Sequence, residues 1–362
     1  MLNNVQLLRA WSAYMVVGYH TMEFIDWNGT GSWIPDTDMG SGIITIFFAI
    51  SGFLMVQITP QHETFSWFIA KRAARIVPLY WLSLTMVLVA TALIPWAFSS
   101  ANLSLPSILS AYAFLPYPDV NGNLLPILGV GWTLNYEVLF YILFGLSMAL
   151  PRKWQMAGLF GMMGAIMIAA RIFGGDSVYG RFYGDTVMFD FAAGALLAHF
   201  VQWEPIKAFI KRTSMLSFGL VAGLLWFLIE FTVPYSVPTQ WRYWIPAMMI
   251  MFAAVGQDLH RKPTPKSFLT YLGDAGYSTY LLHLFILMVV GPLWFRFMGT
   301  ELLASILLLP VMLIASVVVS VISYEVFEKP TNNGLRAFFK KTIRKKSRVP
   351  RPAVPPMAAP AP

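Results

Sequence analysis

The sequence predicts an all-α, polytopic integral membrane helix bundle of about ten transmembrane helices, with both termini in the cytoplasm. Three observations lead to this prediction. Of the 362 residues, 57% are hydrophobic and only 12% are charged, whereas soluble domains carry about 25% charged residues. Apolar runs recur between short polar connectors, and most approach the roughly 20 residues that cross hydrocarbon. Basic residues are concentrated in alternate connectors.

The candidate spans follow one another along most of the chain. The first contains Arg9 and lacks both a basic n-region and a small-residue cleavage site, so we interpret it as a retained helix and not as a signal peptide. Two spans are short and are expected to tilt less or to extend at their ends. The spans lie near residues 5–24, 42–58, 76–96, 130–150, 155–172, 185–202, 215–232, 243–257, 274–297 and 302–325.

The connectors determine the expected orientation, because cytoplasmic loops of membrane proteins carry an excess of Lys and Arg. The opposite set of connectors holds mainly Arg181 and Arg242. An even number of spans then places both termini on the basic side. With the N-terminus inside, the inner connectors hold Lys71, Arg72, Arg75, Arg152, Lys153, Lys207, Lys211, Arg212, Arg261, Lys262 and Lys266.

The chain divides into a transmembrane domain at 1–328 and a tail at 329–362, which is basic and then rich in Pro and Ala. Nine of the 25 Lys and Arg residues lie in this tail. Its composition offers little to bury, so we expect it to be cytoplasmic and disordered. The basic run favours attraction to the anionic lipids of the inner leaflet over nucleic-acid binding. The lack of cysteine excludes disulfides and thiolate catalysis.

Two ionisable residues of the first span share one helix face. Arg9 and His20 are eleven positions apart, which is close to three turns and about 16 Å along the axis. We expect Arg9 near the inner mouth of the bundle and His20 near its outer end, with Glu23 one turn beyond as a group that orients the histidine. Snorkelling to the interface is the alternative for either residue alone.

Other polar residues within spans are functional candidates because their burial in lipid is costly. Glu137 lies in the fourth span beside Asn135 and Tyr136, and we expect its partner to be His20 or, as a structural pair, an arginine or tyrosine elsewhere. Arg72 and Arg75 lie three apart on one face at the inner entrance of span three. They are either a positive-inside flank or a fork that holds phosphates.

Histidines outside the first span receive plainer interpretations. For His283, in the inner half of span nine near Ser278 and Tyr280, we favour a helix-packing hydrogen bond over a functional role. His62 and His260 fall in inner connectors, where we expect them to be solvated. No His or carboxylate cluster has metal-ligand spacing, and neither a P-loop nor GxGxxG occurs, so we expect no metal.

Six segments in order along residues 5–330 resemble the membrane-bound acyltransferase-3 family, and closely its exopolysaccharide O-acetyltransferase branch. Each segment alone is a weak signal, whereas the ordered set is strong. The fourth reads TLNYE where many members of the family read SLSVE, which keeps the carboxylate. The segments are LLRAWSAYMVVGYH, FFAISGFLM, RAARIVPLYW, GVGWTLNYEVLFYIL, GDAGYSTYLLHLFI and YEVFEKP.

This resemblance implies a ten-helix O-acyltransferase in the bacterial inner membrane. It implies acetyl-CoA as the acyl donor and, as acceptor, an exopolysaccharide or its lipid-linked saccharide precursor on the outer side. Membrane lipids and the polysaccharide synthesis machinery are the other implied partners. The family's motifs assign catalysis to His20 and Glu137 and donor binding to Arg9, Arg72 and Arg75. Glu23, Asn135, Tyr136 and His283 are secondary candidates.

Two other classes of membrane protein fit parts of this pattern. A transporter or flippase of lipid-linked saccharide would also carry charges inside the membrane, but the chain shows no recognisable repeat. A sugar polymerase or ligase would also have a large outer loop. The shared face of Arg9 and His20, together with the inner pair Arg72 and Arg75, favours acyl transfer. Whether His20 acts as a general base or as a nucleophile stays open at this point.

Overall fold

A computed structural model describes residues 2–28, 39–60, 62–93, 102–233, 237, 239–260 and 264–346, and within these ranges the chain forms helices and connecting turns but no strand. The α-helices are α1 (Asn3–Trp27), α2 (Met39–Ile58), α3 (Phe65–Leu93), α4 (Leu105–Tyr112), α5 (Gly131–Ser147), α6 (Arg152–Ala169), α7 (Val178–Tyr183), α8 (Phe189–Phe200), α9 (Glu204–Arg212), α10 (Met215–Thr232), α11 (Thr239–His260), α12 (Phe268–Asp274), α13 (Gly276–Met298), α14 (Leu302–Ser323) and α15 (Lys329–Lys346).

All ten predicted spans overlap one of these helices, so the all-α prediction is confirmed for the described part of the chain. Among the described residues, five helices are long and apolar enough to cross a membrane, and the segment Val178–Phe200, which contains α7 and α8, forms a sixth candidate with α9, bent by 86°. The chain is therefore compatible with a multi-pass membrane bundle, whereas the number of ten crossings and the side of each terminus stay predictions. The five are Gly40–Ile58, Phe65–Leu93, Arg152–Gly174, Gly276–Met298 and Leu302–Ile343.

Serine side chains define where several helices begin. The hydroxyls of Ser104, Ser177, Ser214 and Ser267 each accept a hydrogen bond from the backbone N–H three residues further on. Such caps satisfy one of the amides that the first turn of a helix leaves without a partner. They fix the helix starts next to connectors, which keeps the polar caps out of the packed interior of the bundle.

Helices α2 and α8 pack backbone against backbone through two glycines. A Cβ atom on Gly52 would lie 1.8 Å from the carbonyl oxygen of Phe191, and one on Gly194 would lie 1.9 Å from that of Ala49. Small residues allow membrane helices this close approach, which increases van der Waals contact where lipid supplies no hydrophobic driving force.

Helix α1 lies centrally, in contact with α2, α11, α12, α13 and α14. The carboxylate of Asp258 holds its start: Oδ2 accepts from Val5 N at 2.9 Å, and Oδ1 accepts from Asn4 N and Asn4 Nδ2 at 3.0 and 2.7 Å. A carboxylate is favoured here because the amino end of a helix carries partial positive charge. This cap fixes the position of every polar residue further along α1.

The expectation that the whole tail from 329 is disordered is wrong for its first half. Residues Lys329–Lys346 form α15, which continues α14 through the π-helical turn Tyr324–Glu328 and packs on α3. Leu335 and Phe339, four residues apart on one face, are partly buried, so the segment has an apolar side to bury, and an existing helix spares it the cost of nucleation. Residues 347–362 lie outside the described residues.

Candidate functional site

Helix α1 presents Arg9 and His20 to two different cavities. The first, called the histidine cavity, has a volume of about 760 Å³ and is lined by His20, Glu23, Asp26 and Trp27 of α1 together with residues of α13 and of the 125–129 connector. The second, called the arginine cavity, is narrower, at about 100 Å³, and is lined by Arg9, with α2, α3, α5 and α13 around it. The predicted alignment along one helix therefore connects two sites.

In the histidine cavity, the imidazole of His20 is held by the carboxylate of Glu23. His20 Nδ1 lies 2.6 Å from Glu23 Oε2, and the two side chains are 29% and 50% exposed. Because an ionised carboxylate only accepts hydrogen bonds, Nδ1 is the donor and Nε2 is the nitrogen left for a substrate proton. Glu23 therefore occupies the orienting position predicted for it.

The ring of His283 stacks on the ring of His20 from the protein interior. Their centroids lie 5.2 Å apart with 24° between the planes. His283 is 1% exposed and its Nδ1 donates at 2.7 Å to the carbonyl of Tyr280 in the same helix, so this bond is not the contact between helices that we expected. Its Nε2 is buried and has no hydrogen-bond partner among the described residues. His283 thus combines a structural bond with a free polar nitrogen close to His20.

Side chains separate the two cavities. The ring of Tyr280 lines the arginine cavity and lies 6.1 Å from the ring of His283, which in turn stacks on His20. The hydroxyls of Tyr280 and Thr133 lie 2.6 Å apart, and Tyr280 also donates to the carbonyl of Val130 at 3.1 Å. We call Thr133, Tyr280 and His283 the partition. Its members are side chains held by hydrogen bonds.

The arginine cavity brings together Arg9, Arg72 and Arg75, as the sequence predicts. Arg72 is buried, and its guanidinium lies 5.5 and 5.7 Å from the ring centroids of Phe68 and Tyr141, while its Nε has no hydrogen-bond partner among the described residues. A buried guanidinium with a free donor is suited to bind an anion through forked hydrogen bonds.

Arg9 is positioned by a short polar chain. Its Nη1 donates to Gln6 Oε1 at 2.9 Å, and Gln6 Nε2 donates to Asp274 Oδ1 at 2.8 Å. Sequence reasoning missed Gln6 and Asp274, although Gln6 lies three residues before Arg9, within hydrogen-bonding reach on a helix. Because the amide of Gln6 lies between Asp274 and Arg9, the carboxylate helps to position the guanidinium without forming a direct ion pair with it.

Glu137 lies in the arginine cavity and not beside His20. It accepts hydrogen bonds from the hydroxyl of Tyr141 and from Ser51 Oγ, the latter at 3.1 Å. The predicted contact with His20 is therefore replaced by the alternative, a pair with a tyrosine. The reason is depth, because Glu137 is six residues inside α5 and so lies about 9 Å from the helix start. Tyr141, at i+4 from Glu137, could have been found from its spacing.

Asn135 and Tyr136, the two residues before Glu137, lie outside both cavities. The hydroxyl of Tyr136 donates to the carbonyl of Phe182 at 2.7 Å and its ring stacks on Phe182 at 3.9 Å, so it anchors α7. Asn135 is buried, and its Oδ1 has no partner among the described residues. Neither lines the histidine or the arginine cavity. The structure thus separates these secondary candidates from His20 and from the arginines.

A second buried carboxylate lies near the arginines and was not among the predicted site residues. Glu328, in the YEVFEKP segment, is buried and accepts a hydrogen bond from Ser278 Oγ at 2.7 Å. No group of three or more His, Asp or Glu suitable for a metal ion occurs in the part of the chain that the structure describes. The site therefore consists of a histidine–carboxylate pair on one side of the partition and arginines with carboxylates on the other.

A family model described as an acyltransferase domain matches residues 2–325. The chain belongs to this acyltransferase-3 family. Three curated relatives are similar over most of their length. "Exopolysaccharide production protein ExoZ" of Rhizobium meliloti (strain 1021) is 32% identical over 260 residues, which are 70% of this chain and 78% of the relative. No solved structure matches the chain at the stringency that finds these relatives.

The two other relatives are more distant but cover more of the chain. "Nodulation protein 10" of Rhizobium leguminosarum bv. viciae is 23% identical over 313 residues, covering 79% of this chain and 83% of the relative. "Acyltransferase MdmB" of Streptomyces mycarofaciens is 26% identical over 331 residues, covering 82% and 80%. The family and these relatives support an acyltransferase, and the long apolar helices make it a multi-pass membrane acyltransferase.

Proposed function

We propose that the protein transfers an acetyl group from cytoplasmic acetyl-CoA to a hydroxyl of an exopolysaccharide, or of its lipid-linked precursor, at the outer side of the bacterial inner membrane. The observation that carries the proposal is the arrangement along α1. A histidine–carboxylate pair lines a wide cavity at one end, and three arginines line a narrow cavity at the other. An acyl donor with a phosphorylated handle and a neutral thioester end fits such a pair of sites.

The arginine cavity is the donor site in this proposal. Arg72 and Arg75 would hold donor phosphates, and Arg9 would hold the chain that leads from them toward the partition. Glu137, held by Tyr141 and Ser51, adds a carboxylate to the same cavity. Guanidinium groups suit this role because their planar donors match phosphate oxygens and they stay charged at any physiological pH.

The histidine cavity is the site of chemistry in this proposal. His20 Nε2 removes the proton from a sugar hydroxyl as its oxygen attacks the thioester carbonyl carbon. The tetrahedral intermediate then expels the CoA thiolate, which takes up the proton that His20 holds, so that the products are an acetyl ester and CoA. Glu23 stabilises the imidazolium during this step. His283, stacked behind His20, has a free Nε2 that can accept a hydrogen bond from a water or from a hydroxyl of the acceptor sugar.

The relatives support a carbohydrate as the acceptor. ExoZ is named for exopolysaccharide production, and its similarity covers 70% of this chain. The histidine cavity can accommodate a sugar ring, since its volume is about 760 Å³ and the indole of Trp27, 91% exposed, stands at its edge. Exposed indoles offer an apolar, rigid face to bound rings. The orientation with His20 outside follows from the basic residues of the opposite connectors.

The test compares polymer acetylation in cells that lack the gene and are complemented with wild-type or His20→Ala protein. We expect the ester content of the secreted polysaccharide, measured by NMR and mass spectrometry, to fall about 10²-fold or more with His20→Ala, the lower end of general-base effects. The matched control is His260→Gln, since His260 bonds the carbonyl of Val201 far from the cavity. Unchanged acetylation by a normally produced His20→Ala protein would overturn the proposal.

A further inference from the structure

A third cavity, of about 250 Å³, collects polar and basic side chains that the proposed chemistry does not use. Its lining comes from the end of α2 and the following turn, from the end of α5 and from the start of α6. The side chains that matter are Thr59, His62, Arg152, Gln155 and His199. The sequence predicts that His62 is solvated, and its side chain is indeed exposed, but it also shares this cavity with a second histidine and an arginine.

Several of these side chains have hydrogen-bonding atoms that no partner among the described residues occupies. Among the described residues, Thr59 Oγ1 is buried without a hydrogen-bond partner. His199 Nδ1 donates to the carbonyl of Ala195 at 3.1 Å, so its Nε2 is left for a ligand. Arg152, on the first turn of α6, follows a helix start with no side-chain cap. An imidazole donates through both ring nitrogens when it is protonated, and each histidine can bind an anion in that form.

The lining of the third cavity follows that of the arginine cavity along α5. On α5, Glu137 and Tyr141 line the arginine cavity and Phe144 and Met148 line the third one. The step from Tyr141 to Met148 is seven residues, or about 10 Å. These four positions follow each other at intervals of four, three and four residues, so they share one helix face. The third cavity therefore continues the arginine cavity away from the partition.

We propose that this third cavity binds a phosphate monoester, namely the 3′-phosphate of the coenzyme A donor. The inference rests on the proposed function and extends it by dividing the donor between two cavities. Arg72 and Arg75 would hold the diphosphate, while Arg152, His62 and His199 would surround the 3′-phosphate, which the ribose ring separates from it. A dianion needs several donors and positive charge, and the cavity supplies an arginine, two imidazoles, an amide and a hydroxyl.

The test measures equilibrium binding of two donors that differ by one phosphate, acetyl-CoA and acetyl-3′-dephospho-CoA. Purified full-length protein is placed in nanodiscs of uncharged lipid, which removes anionic lipid headgroups as the source of phosphate. Wild-type protein should bind acetyl-CoA about ten-fold or more tightly than the dephospho donor, the size expected for lost charged hydrogen bonds. The Arg152→Gln variant should bind the two donors with similar affinity, because only the 3′-phosphate contacts Arg152.

Lys153→Gln is the matched control, since Lys153 is the next residue, is also basic and exposed, and does not line the cavity. It should keep the wild-type preference for acetyl-CoA. Equal affinity of wild-type protein for both donors would overturn the subsite and leave the proposed donor standing. An undiminished preference in Arg152→Gln would overturn it too, and so would a preference that appears only when anionic lipid is restored. Failure of wild-type protein to bind either donor would overturn the proposed function itself.

Discussion

At the scale of single residues, the chemistry of the site depends on which carboxylate meets which base. Glu23 reaches His20 because it lies one turn further on the same helix, and Tyr141 reaches Glu137 for the same reason. Both pairs follow from i, i+3 and i, i+4 spacing and need no tertiary information. The His20–His283 stack joins residues 263 positions apart, and no local pattern could have indicated it.

Replacing Glu23 by Gln tests the role of its charge. The amide still accepts the hydrogen bond of His20 Nδ1, so the tautomer is kept, but it no longer stabilises an imidazolium. We expect the rate of transfer to fall about ten-fold, as for loss of a charge-assisted hydrogen bond, while donor affinity is unchanged. Steady-state assays with a soluble acceptor sugar measure both. Asp26→Asn, in the same cavity, is the control, and an equal loss there would contradict the assigned role of Glu23.

At the scale of secondary structure, the helices were predictable and their mutual depths were not. Hydropathy located every predicted span on a helix, because an apolar run of that length has no other way to satisfy its backbone in lipid. The depth of Glu137 relative to His20 depends on how α5 packs against α2. The hydrogen bond from Ser51 of α2 to Glu137 joins residues that are far apart in the sequence, so no local pattern predicts it. The tail begins as a helix that packs on α3, and a tertiary contact of this kind cannot be predicted from composition.

The contact between α2 and α8 predicts a strong steric effect. Gly194→Leu would force a side chain into the carbonyl of Ala49, because even a Cβ would lie 1.9 Å from it. We expect destabilisation by about 1–3 kcal/mol or more, the range for overpacked cores, seen as a lower midpoint of thermal unfolding in detergent. Gly161→Leu, on α6 with no atom within 4 Å of its Cβ position, should leave the midpoint nearly unchanged. Similar losses in both variants would contradict the packing argument.

At the scale of the whole molecule, the distribution of charge is the basis for the predicted orientation in the membrane. The third cavity lies beside a connector that contains basic residues, and α15 is itself rich in Lys and Arg. The histidine cavity instead adjoins the connector that contains the acidic residue Asp119. Asp119 itself is fixed in a turn: partial desolvation opposes its ionisation, but hydrogen bonds from Asn123, Asn121 and Gly122 hold its pKa below the usual value. An ordered turn with a charged side chain suits a loop that faces water.

The absence of cysteine from the sequence makes the orientation directly measurable. A membrane-impermeant maleimide should label Asn121→Cys in intact cells, because Asn121 is exposed in the connector expected outside. Lys153→Cys and Lys340→Cys, both exposed and expected inside, should be labelled only after lysis. Gel-shift detection of the labelled protein distinguishes the outcomes. Labelling of Lys340→Cys in intact cells would place the C-terminal helix outside and reverse the proposed direction of transfer.

The partition has a consequence for the cell's energy supply. Ionisable groups on both sides of the membrane centre could pass protons across the membrane if water connected them. Each elementary charge that crosses in this way releases about 2.3 kcal/mol per 100 mV. Thr133, Tyr280 and His283 close the gap between the two cavities with bonded side chains. Under the proposed function, these side chains must move aside to admit the thioester arm of the donor, and in the structure they stand between the two sets of ionisable groups.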